Sequence, residues 1–146
     1  MNWKQEAKER LSRLSALQEA CRNIPAQIKQ LENEIYRIKA AGIGPVSGNG
    51  GYSRGEDRLL NNMVCRQELS WALTRTRQTV RLIENALRQL DRQEYLILYR
   101  LYINPKDKPL EQLCQELEME KSSIYRRRDR ALERFTLSLY GLPEEA

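Results

Sequence analysis

The sequence predicts an all-α protein in which two long amphipathic helices precede three shorter ones. Two stretches of more than thirty residues carry apolar side chains at alternating steps of three and four, the period of one face of a helix. A glycine-rich segment separates these stretches, and prolines and capping residues divide the last third of the chain into shorter helical segments. At 146 residues, the chain is long enough for one domain, or for one small module with a helical extension.

Residues 1–40 are predicted to form one amphipathic, kinked helix. Its apolar positions follow a heptad seam. The seam consists of Leu14, Leu17, Cys21, Ile24, Ile28, Leu31, Ile35 and Ile38. Pro25 lacks a backbone donor and its ring crowds the preceding turn, so we expect either a kink near Asn23 or two helices with Pro25 in the first turn of the second. The seam keeps its register past Pro25, which favours the kink.

Residues 41–56 are predicted to be a flexible linker, and residues 57–90 a second long helix. The linker AGIGPVSGNGGYSRGE holds six glycines and one proline, too many to sustain a helix. Asp57 can cap the second helix. The apolar seam of this helix is interrupted at three positions, which are Asn62, Arg66 and Thr76.

The apolar stripes of the two long helices must be removed from water. We expect them to pack on each other as an antiparallel hairpin, or on a second copy of the chain. Trp3 and Trp71 are expected to belong to this packing. The N-terminal helices are therefore the expected route to a homo-oligomer, of which a dimer is the favoured form.

The residue types present exclude several classes of function. Histidine is absent, which removes Ser-His-Asp and Cys-His nucleophile activation and the H-E-x-x-H zinc site. Cys21, Cys65 and Cys114 lie too far apart to form a C-x-x-C pair. We therefore expect no enzyme, no catalytic or metal-binding residue and no cofactor.

The N-terminus is charged where a signal peptide would be apolar, and no run of residues approaches the roughly 18 apolar ones that a membrane-spanning helix needs. We expect a cytoplasmic protein with no membrane partner.

Residues 91–141 are predicted to form a three-helix module, followed by a tail at 142–146. Asp91 is the expected cap of a helix from Arg92 to Ile103. The expected core residues of this helix are Leu96, Tyr99 and Ile103, flanked by Leu98 and Tyr102.

Two further helices follow a turn that has a proline at each end. Pro109 suits the first position of a helix that reaches about Leu117. The last helix runs from about Lys121 to Tyr140, and Gly141 ends it. The residues expected to face inward are Leu110, Leu113 and Leu117 in the shorter helix, and Ile124, Ala131, Leu132, Phe135 and Leu139 in the longer. A short helix, a turn of about four residues and a longer basic helix form the helix-turn-helix arrangement, whose second helix lies in the DNA major groove.

Charge is distributed unevenly over these two helices. The segment Lys121–Arg134 has six basic and two acidic residues, a net charge of +4, whereas Pro109–Glu120 has a net charge of -4. Arginine outnumbers lysine 18 to 7 in the chain, which favours bidentate recognition of phosphate or guanine. The basic helix suits a polyanion; the alternative is a charged face that only solvent covers.

The segment LEQLCQELEMEKSSIYRRRDRALERF resembles region four of bacterial sigma factors. The family's core positions are occupied by Leu110, Leu113, Leu117, Met119, Ile124, Ala131, Leu132 and Phe135. The preceding ALRQLDRQEYLILYRLYI is similar to the helix that leads into that motif. With the glycine-rich linker and the amphipathic helices upstream, the chain resembles the ArpU and RinA group of phage late-gene transcription regulators. The resemblance implies a phage- or prophage-encoded activator that binds a specific duplex site and acts with host RNA polymerase.

The resemblance places the groove-facing residues at the start of the last helix, at Lys121, Ser122, Tyr125 and Arg126. Helical geometry with Ile124 in the core also turns Ser123 and Asp129 outward or to the flanks. The candidates for base contact are therefore Lys121, Ser122, Ser123, Tyr125 and Arg126. We expect Arg126 to bind guanine in a bidentate manner. The candidates for phosphate contact are Arg127, Arg128, Arg130 and Arg134, and Lys121 suits this role as well.

Three residues depart from the family pattern. Glu118 stands where the family has a turn glycine, Glu120 where it has a serine or threonine cap, and Arg127 at a position that is normally apolar. Since Glu120 caps poorly, a helix start at Ser122 or Ser123 is an alternative. Arg127 is expected to lay its stem along the edge of the core.

Three alternatives stay open. Tyr125 could be a packing residue rather than a base contact. The whole chain could be a small terminase subunit, which joins a DNA-binding helical motif to an oligomerising region. It could also be a coiled-coil protein whose arginine-rich helix pairs with an acidic partner and not with DNA.

Overall fold

The computed structural model describes residues 1–41 and 54–142, and every regular element in these ranges is helical. In chain order the helices are α1 (Trp3–Ala40), α2 (Arg54–Leu87), α3 (Arg92–Leu98), α4 (Pro109–Leu117) and α5 (Lys121–Tyr140). A π-helical segment, Tyr99–Ile103, continues α3. The prediction of an all-α fold with a long N-terminal helical hairpin is confirmed. Most of the predicted linker, residues 42–53, and most of the predicted tail, residues 143–146, lie outside the described residues.

Helix α1 passes through Pro25 as one helix of 38 residues, so two separate helices do not form. Proline removes one backbone hydrogen bond from a helix interior. The seam residues on both sides of Pro25 are all buried or half-buried. Packing of this continuous apolar face offsets the lost bond, because most helical stability in proteins comes from such packing.

Helix α2 is displaced by three residues from its predicted range. It begins at Arg54, so Asp57 lies in the first turn together with Glu56 and is not the cap. Acidic side chains in a first turn interact favourably with the positive end of the helix. At the other end, the N–H groups of Gln89 and Leu90 bond to carbonyls three residues back, at 3.2 and 3.1 Å, which tightens the chain into a turn before Asp91.

The chain divides into two compact units. The hairpin unit is Glu19–Arg77, and the terminal unit combines Met1–Gln18 with Gln78–Ala146. Each long helix therefore contributes one part to each unit.

The hairpin unit accommodates the polar interruptions of the α2 seam through hydrogen bonds. Asn62 is buried, and its Nδ2 donates to the backbone carbonyl of Leu31 in α1 at 2.7 Å. Arg66 Nε donates to Asn62 Oδ1 at 2.8 Å, and Thr76 Oγ1 donates to the carbonyl of Ala72 at 2.7 Å. Buried polar atoms that are paired in this way do not carry the penalty of an unsatisfied group.

Trp71 does not pack as predicted: it is 60% exposed. It precedes the buried Leu73 by two residues, about 200° around the helix, so burial of the seam turns the indole to solvent. Trp3, in the terminal unit, does pack, since its ring lies 4.8 Å from that of Tyr140 at the end of α5.

In the terminal unit, the first turns of α1 pack with the C-terminal helices. Leu11 is fully buried, and Ser15 Oγ donates to the carbonyl of Ile103 at 3.2 Å.

The predicted start of α3 is confirmed. The Asp91 carboxylate accepts from the N–H of Glu94 at 2.8 Å, and Glu94 Oε1 accepts from the N–H of Asp91 at 3.3 Å. This reciprocal pair is a capping box.

The core face predicted for this helix is confirmed at Ile103, but Leu96 and Tyr99 lie at its edge and the most deeply buried residues of the helix are others. Ile97 and Leu98 are fully buried and Ile103 is buried, whereas Leu96 and Tyr99 are only half-buried. The prediction assumed α-helical spacing throughout. In the π-helical segment the N–H of Asn104 bonds to the carbonyl of Tyr99, five residues back, and this wider turn brings Leu98 and Ile103 to the same side.

Candidate nucleic-acid interface

A small apolar core fixes α4 and α5 against α3. Ile97, Leu113 and Ile124 are fully buried, one from each helix. The half-buried residues packed on them are Leu96, Leu101, Leu110, Cys114, Leu117 and Met119. Further along α5, Ala131, Leu132 and Phe135 are buried and Leu139 is half-buried, so the predicted inward faces of α4 and α5 are confirmed.

The turn between α4 and α5 is made by glutamates. Glu118 adopts the left-handed conformation, with φ 52° and ψ 48°, in which glycine is favoured over residues that carry a side chain. Glu120 is the N-cap of α5 and gives no side-chain hydrogen bond, although its carbonyl accepts from the N–H groups of Ser123 and Ile124 at 3.1 Å. Helix α5 begins at Lys121, so the alternative start at Ser122 or Ser123 does not occur.

Burial of Ile124 directs a polar stripe of α5 to solvent. Ser122, Arg126 and Arg130 follow one another at steps of four, and all three are exposed, as is Lys121 at the start of the helix. Ser123 is half-buried at the edge of this stripe. Arg126, Arg127 and Arg130 line a cleft of about 260 Å³ together with Met119 and Ser123.

The basic side chains of α5 fall into two groups. Lys121, Arg126 and Arg130 make no hydrogen bond or ion pair with any other residue of the described ranges. Arg127, Arg128 and Arg134 each have a partner within the chain. The first group can turn all of its N–H donors to an external anion, whereas each arginine of the second group already uses at least one donor within the chain.

The contacts of the second group differ in kind. Arg127 Nη1 donates to Gln93 Oε1 at the start of α3. Arg128 donates to the Asp129 carboxylate at 2.9 Å, and its guanidinium also lies over the Tyr125 ring, 4.7 Å from the centroid.

Tyr125 is 42% exposed and so is not a core residue. Its ring packs on Arg128 at the side of α5, close to the start of the helix.

Arg134 pairs with a carboxylate that sequence reasoning did not single out. Its Nη1 donates to Oε1 of Glu94 at 2.8 Å, and the Glu94 side chain is only 9% exposed. Glu94 thus closes the α3 capping box and holds α5 at the same time. The spacing D-x-x-E after a turn is a signal that could have identified it.

Mixed charge surrounds this contact. A cleft of about 460 Å³ is lined by Asp91, Glu94, Arg127, Arg130, Glu133, Arg134 and Leu137. The N–H of Glu94 holds the pKa of Asp91 below its ordinary value of 3.8, so this carboxyl is ionised at neutral pH. In this cleft the three carboxylates offset the charges of the three arginines, whereas the cleft lined by Arg126, Arg127 and Arg130 has no acidic lining residue.

Among the described residues, no cluster of three or more potential metal ligands is present. None of the described helices has the length and apolar character needed to cross a membrane. Comparisons of the chain with protein-family models, with curated proteins and with solved structures give no match.

Proposed function

We propose that this protein is a sequence-specific, double-stranded-DNA-binding regulator of transcription, with α5 as the helix that enters the major groove. The observation that carries the proposal is the stripe of Lys121, Ser122, Arg126 and Arg130. These side chains are exposed near the start of α5, and the three cations lack partners within the described ranges. The major groove, about 12 Å wide, admits one α-helix, and such helices use their N-terminal residues to contact base edges.

The geometry suggests a role for each residue of the stripe. Arg126 is centred on the outward face and suits bidentate binding to guanine. Ser122, one turn earlier, can donate to or accept from a base edge. Lys121 and Arg130 lie at the two ends of the stripe and suit the phosphates that border the groove.

The resemblance to sigma-factor region four and to the ArpU and RinA regulators supports a more specific role. On this basis the protein activates late genes of a phage or prophage together with host RNA polymerase, in the cytoplasm of the bacterial host. It requires no cofactor and performs no catalysis. A second copy is expected to associate through the N-terminal helices.

Retention of genomic DNA tests this proposal. The full chain is incubated with sheared DNA of a lysogenic host at near-physiological salt, and the retained fragments are sequenced. Enrichment of one or a few sites upstream of phage structural genes is the expected result. Enrichment of a packaging-start region would instead indicate a small terminase subunit, and uniform or absent retention would contradict specific binding.

A matched pair of variants tests whether α5 is responsible for the enrichment of specific DNA sites. Arg126→Ala should strongly reduce the enrichment, because it removes the central base-reading side chain at a cost of about 1 to 3 kcal/mol at the selected site. Arg37→Ala removes the same charge from an exposed position of the hairpin unit and should leave the enriched sites unchanged. Equal behaviour of the two variants would show that α5 does not read the sequence.

A further inference from the structure

Helix α2 carries large apolar residues on the side that faces away from its seam. In the hairpin unit Leu60, Met63, Val64 and Trp71 are between 43% and 60% exposed. At about 100° per residue, these four side chains fall within an arc of about 100°, together with Gln67. Leu60, Met63, Val64, Gln67 and Trp71 are called the outer stripe below.

The outer stripe is unusual for a surface that only water covers. Single exposed apolar residues are common, and Tyr36, 74% exposed on α1, is an example in the same unit. Four large ones on one face of three successive turns form a contiguous patch, and such patches mark interaction surfaces. An aromatic residue within such a patch is a typical energetic centre of an interface.

Charged residues on one flank of the stripe indicate what covers it. Asp57, Glu68 and Arg75 all lie about 60° to 80° from Leu60 on the same side, in the order acidic, acidic, basic along the helix. None of the three forms an ion pair with another described residue. Glu68 and Arg75 are seven residues apart, too far to pair along one helix, where partners are three or four residues apart.

This order of charges favours one partner and one orientation. If a second α2 lay parallel and in register, this flank of one copy would lie beside the opposite flank of the other, so the three charges would not meet one another. If it lay antiparallel with stripe against stripe, Asp57 near one end of the stripe would lie opposite Arg75 of the second copy near the other end, twice, by two-fold symmetry. A two-fold arrangement also sets apolar stripe against apolar stripe, because each copy presents the same surface.

We propose that the outer stripe of α2 is a homodimer interface, in which it packs antiparallel on the outer stripe of a second copy of this chain. The inference concerns the hairpin unit and does not depend on DNA binding. It goes beyond the proposed function by naming the surface, the orientation and the residues that select them.

Sedimentation equilibrium of the full chain tests the interface. The experiment is run over a range of micromolar concentrations with a reducing agent, because Cys65 is exposed and could form disulfide-linked dimers. The wild-type chain should reach twice its monomer mass. Trp71→Glu should raise the dimer dissociation constant by about 100-fold, because it replaces the largest apolar side chain of the interface with a charge. Tyr36→Glu, the matched control, should leave it unchanged.

Charge reversal tests the orientation and does not touch the apolar residues. Asp57→Arg and Arg75→Asp should each raise the dissociation constant, by roughly three- to tenfold at low salt, because each places like charges opposite one another. The double variant should restore it to within about twofold of wild type.

Three results would overturn the proposal. A chain that stays monomeric at every concentration would mean that something other than a second copy covers the stripe. A Trp71→Glu chain that dimerises like wild type would place the interface elsewhere. Failure of the double reversal to restore the affinity would exclude the antiparallel orientation. If Trp71→Glu does not fold, as judged by circular dichroism, the charge-reversal series decides the question.

Discussion

At the scale of single residues, the division of the α5 cations into free and paired groups is the main result. Six basic residues look alike in the sequence, but their contacts separate them. Arg126 and Arg130 are exposed and without partners in the described ranges, whereas Arg134 holds a carboxylate that is almost fully buried. Each group therefore supports its own prediction.

Substitution of Arg126 should affect discrimination between DNA sequences, and substitution of Arg130 should not. Arg126→Ala should weaken binding to the selected site by about 1 to 3 kcal/mol, with little change on random duplex, because it removes contacts to a base. Arg130→Ala should weaken binding to both duplexes alike and reduce the salt dependence by about one phosphate contact. Fluorescence anisotropy with labelled duplexes measures both effects. Equal losses for both variants on both duplexes would contradict the assignment of Arg126 to a base.

Substitution of Arg134 should affect the stability of the fold. Arg134→Ala leaves Glu94 buried with only its cap hydrogen bond, so the free energy of unfolding should fall by about 1 to 2 kcal/mol. Arg130→Ala, on the same helix but without a partner in the described ranges, should change stability by less than about 0.5 kcal/mol. Urea unfolding followed by circular dichroism measures both values. If Arg134→Ala kept its stability but lost affinity for DNA, Arg134 would be a phosphate-contacting residue and not a structural one.

At the scale of the elements, the residues at the helix ends determine where α3, α4 and α5 begin. Helix α3 is started by the Asp91–Glu94 capping box, α4 by Pro109, and α5 follows a left-handed glutamate. These features are local, and their contributions can be measured one at a time.

The Asp91 cap should make a contribution to stability that depends on pH. The pKa of Asp91 is lowered in the folded chain because the N–H of Glu94 donates to the carboxylate. The unfolded chain therefore holds the proton more tightly, so the contribution is complete above the ordinary pKa of 3.8 and is lost as the pH falls below it. Asp91→Asn keeps a capping oxygen that does not titrate.

The stability difference between the wild-type chain and Asp91→Asn should accordingly be constant from pH 5 to 7 and shift against the wild type below about pH 4. Asp91→Ala should cost about 1 kcal/mol at pH 7. Thermal unfolding at a series of pH values measures the difference. A difference that stays the same down to pH 3 would contradict the linkage.

The turn before α5 should tolerate glycine better than glutamate. Glu118 has a φ of 52°, a conformation that a side chain disfavours, so Glu118→Gly should raise the free energy of unfolding by about 0.5 to 1 kcal/mol. Glu111→Gly, at an exposed position in the first turn of α4, should lower it by up to about 1 kcal/mol. Chemical denaturation of both variants provides the comparison, and a loss of stability in Glu118→Gly would argue against a strained turn.

At the scale of the whole molecule, the sequence predicts the helices well and their tertiary partners poorly. The seam of α1, the Asp91 cap, Pro109 at the start of α4 and the inward face of α5 could all be predicted, because each follows from helical spacing or local backbone chemistry. The core face of α3 could not, since a π-helical segment changes the spacing that the prediction assumes.

The candidate site shows the same limit. Helical geometry identifies which residues of α5 face outward, but only tertiary contacts reveal that Arg127 meets Gln93 and that Arg134 meets Glu94. Both partners lie on α3, more than thirty residues earlier in the chain. The exposure of Trp71 could not be predicted either, because the sequence does not distinguish an apolar residue close to a seam from one within it.

The measurement that tests the central claim most directly is the affinity of the full chain for its selected duplex and for a scrambled duplex, over a series of salt concentrations. Binding through Lys121, Arg126 and Arg130 predicts a clear preference for the selected duplex. It also predicts that the logarithm of the association constant falls linearly with the logarithm of the salt concentration, with a slope of about -0.9 for each phosphate contact. Equal affinities for the two duplexes, or an affinity independent of salt, would contradict the account of α5 as a DNA-reading helix.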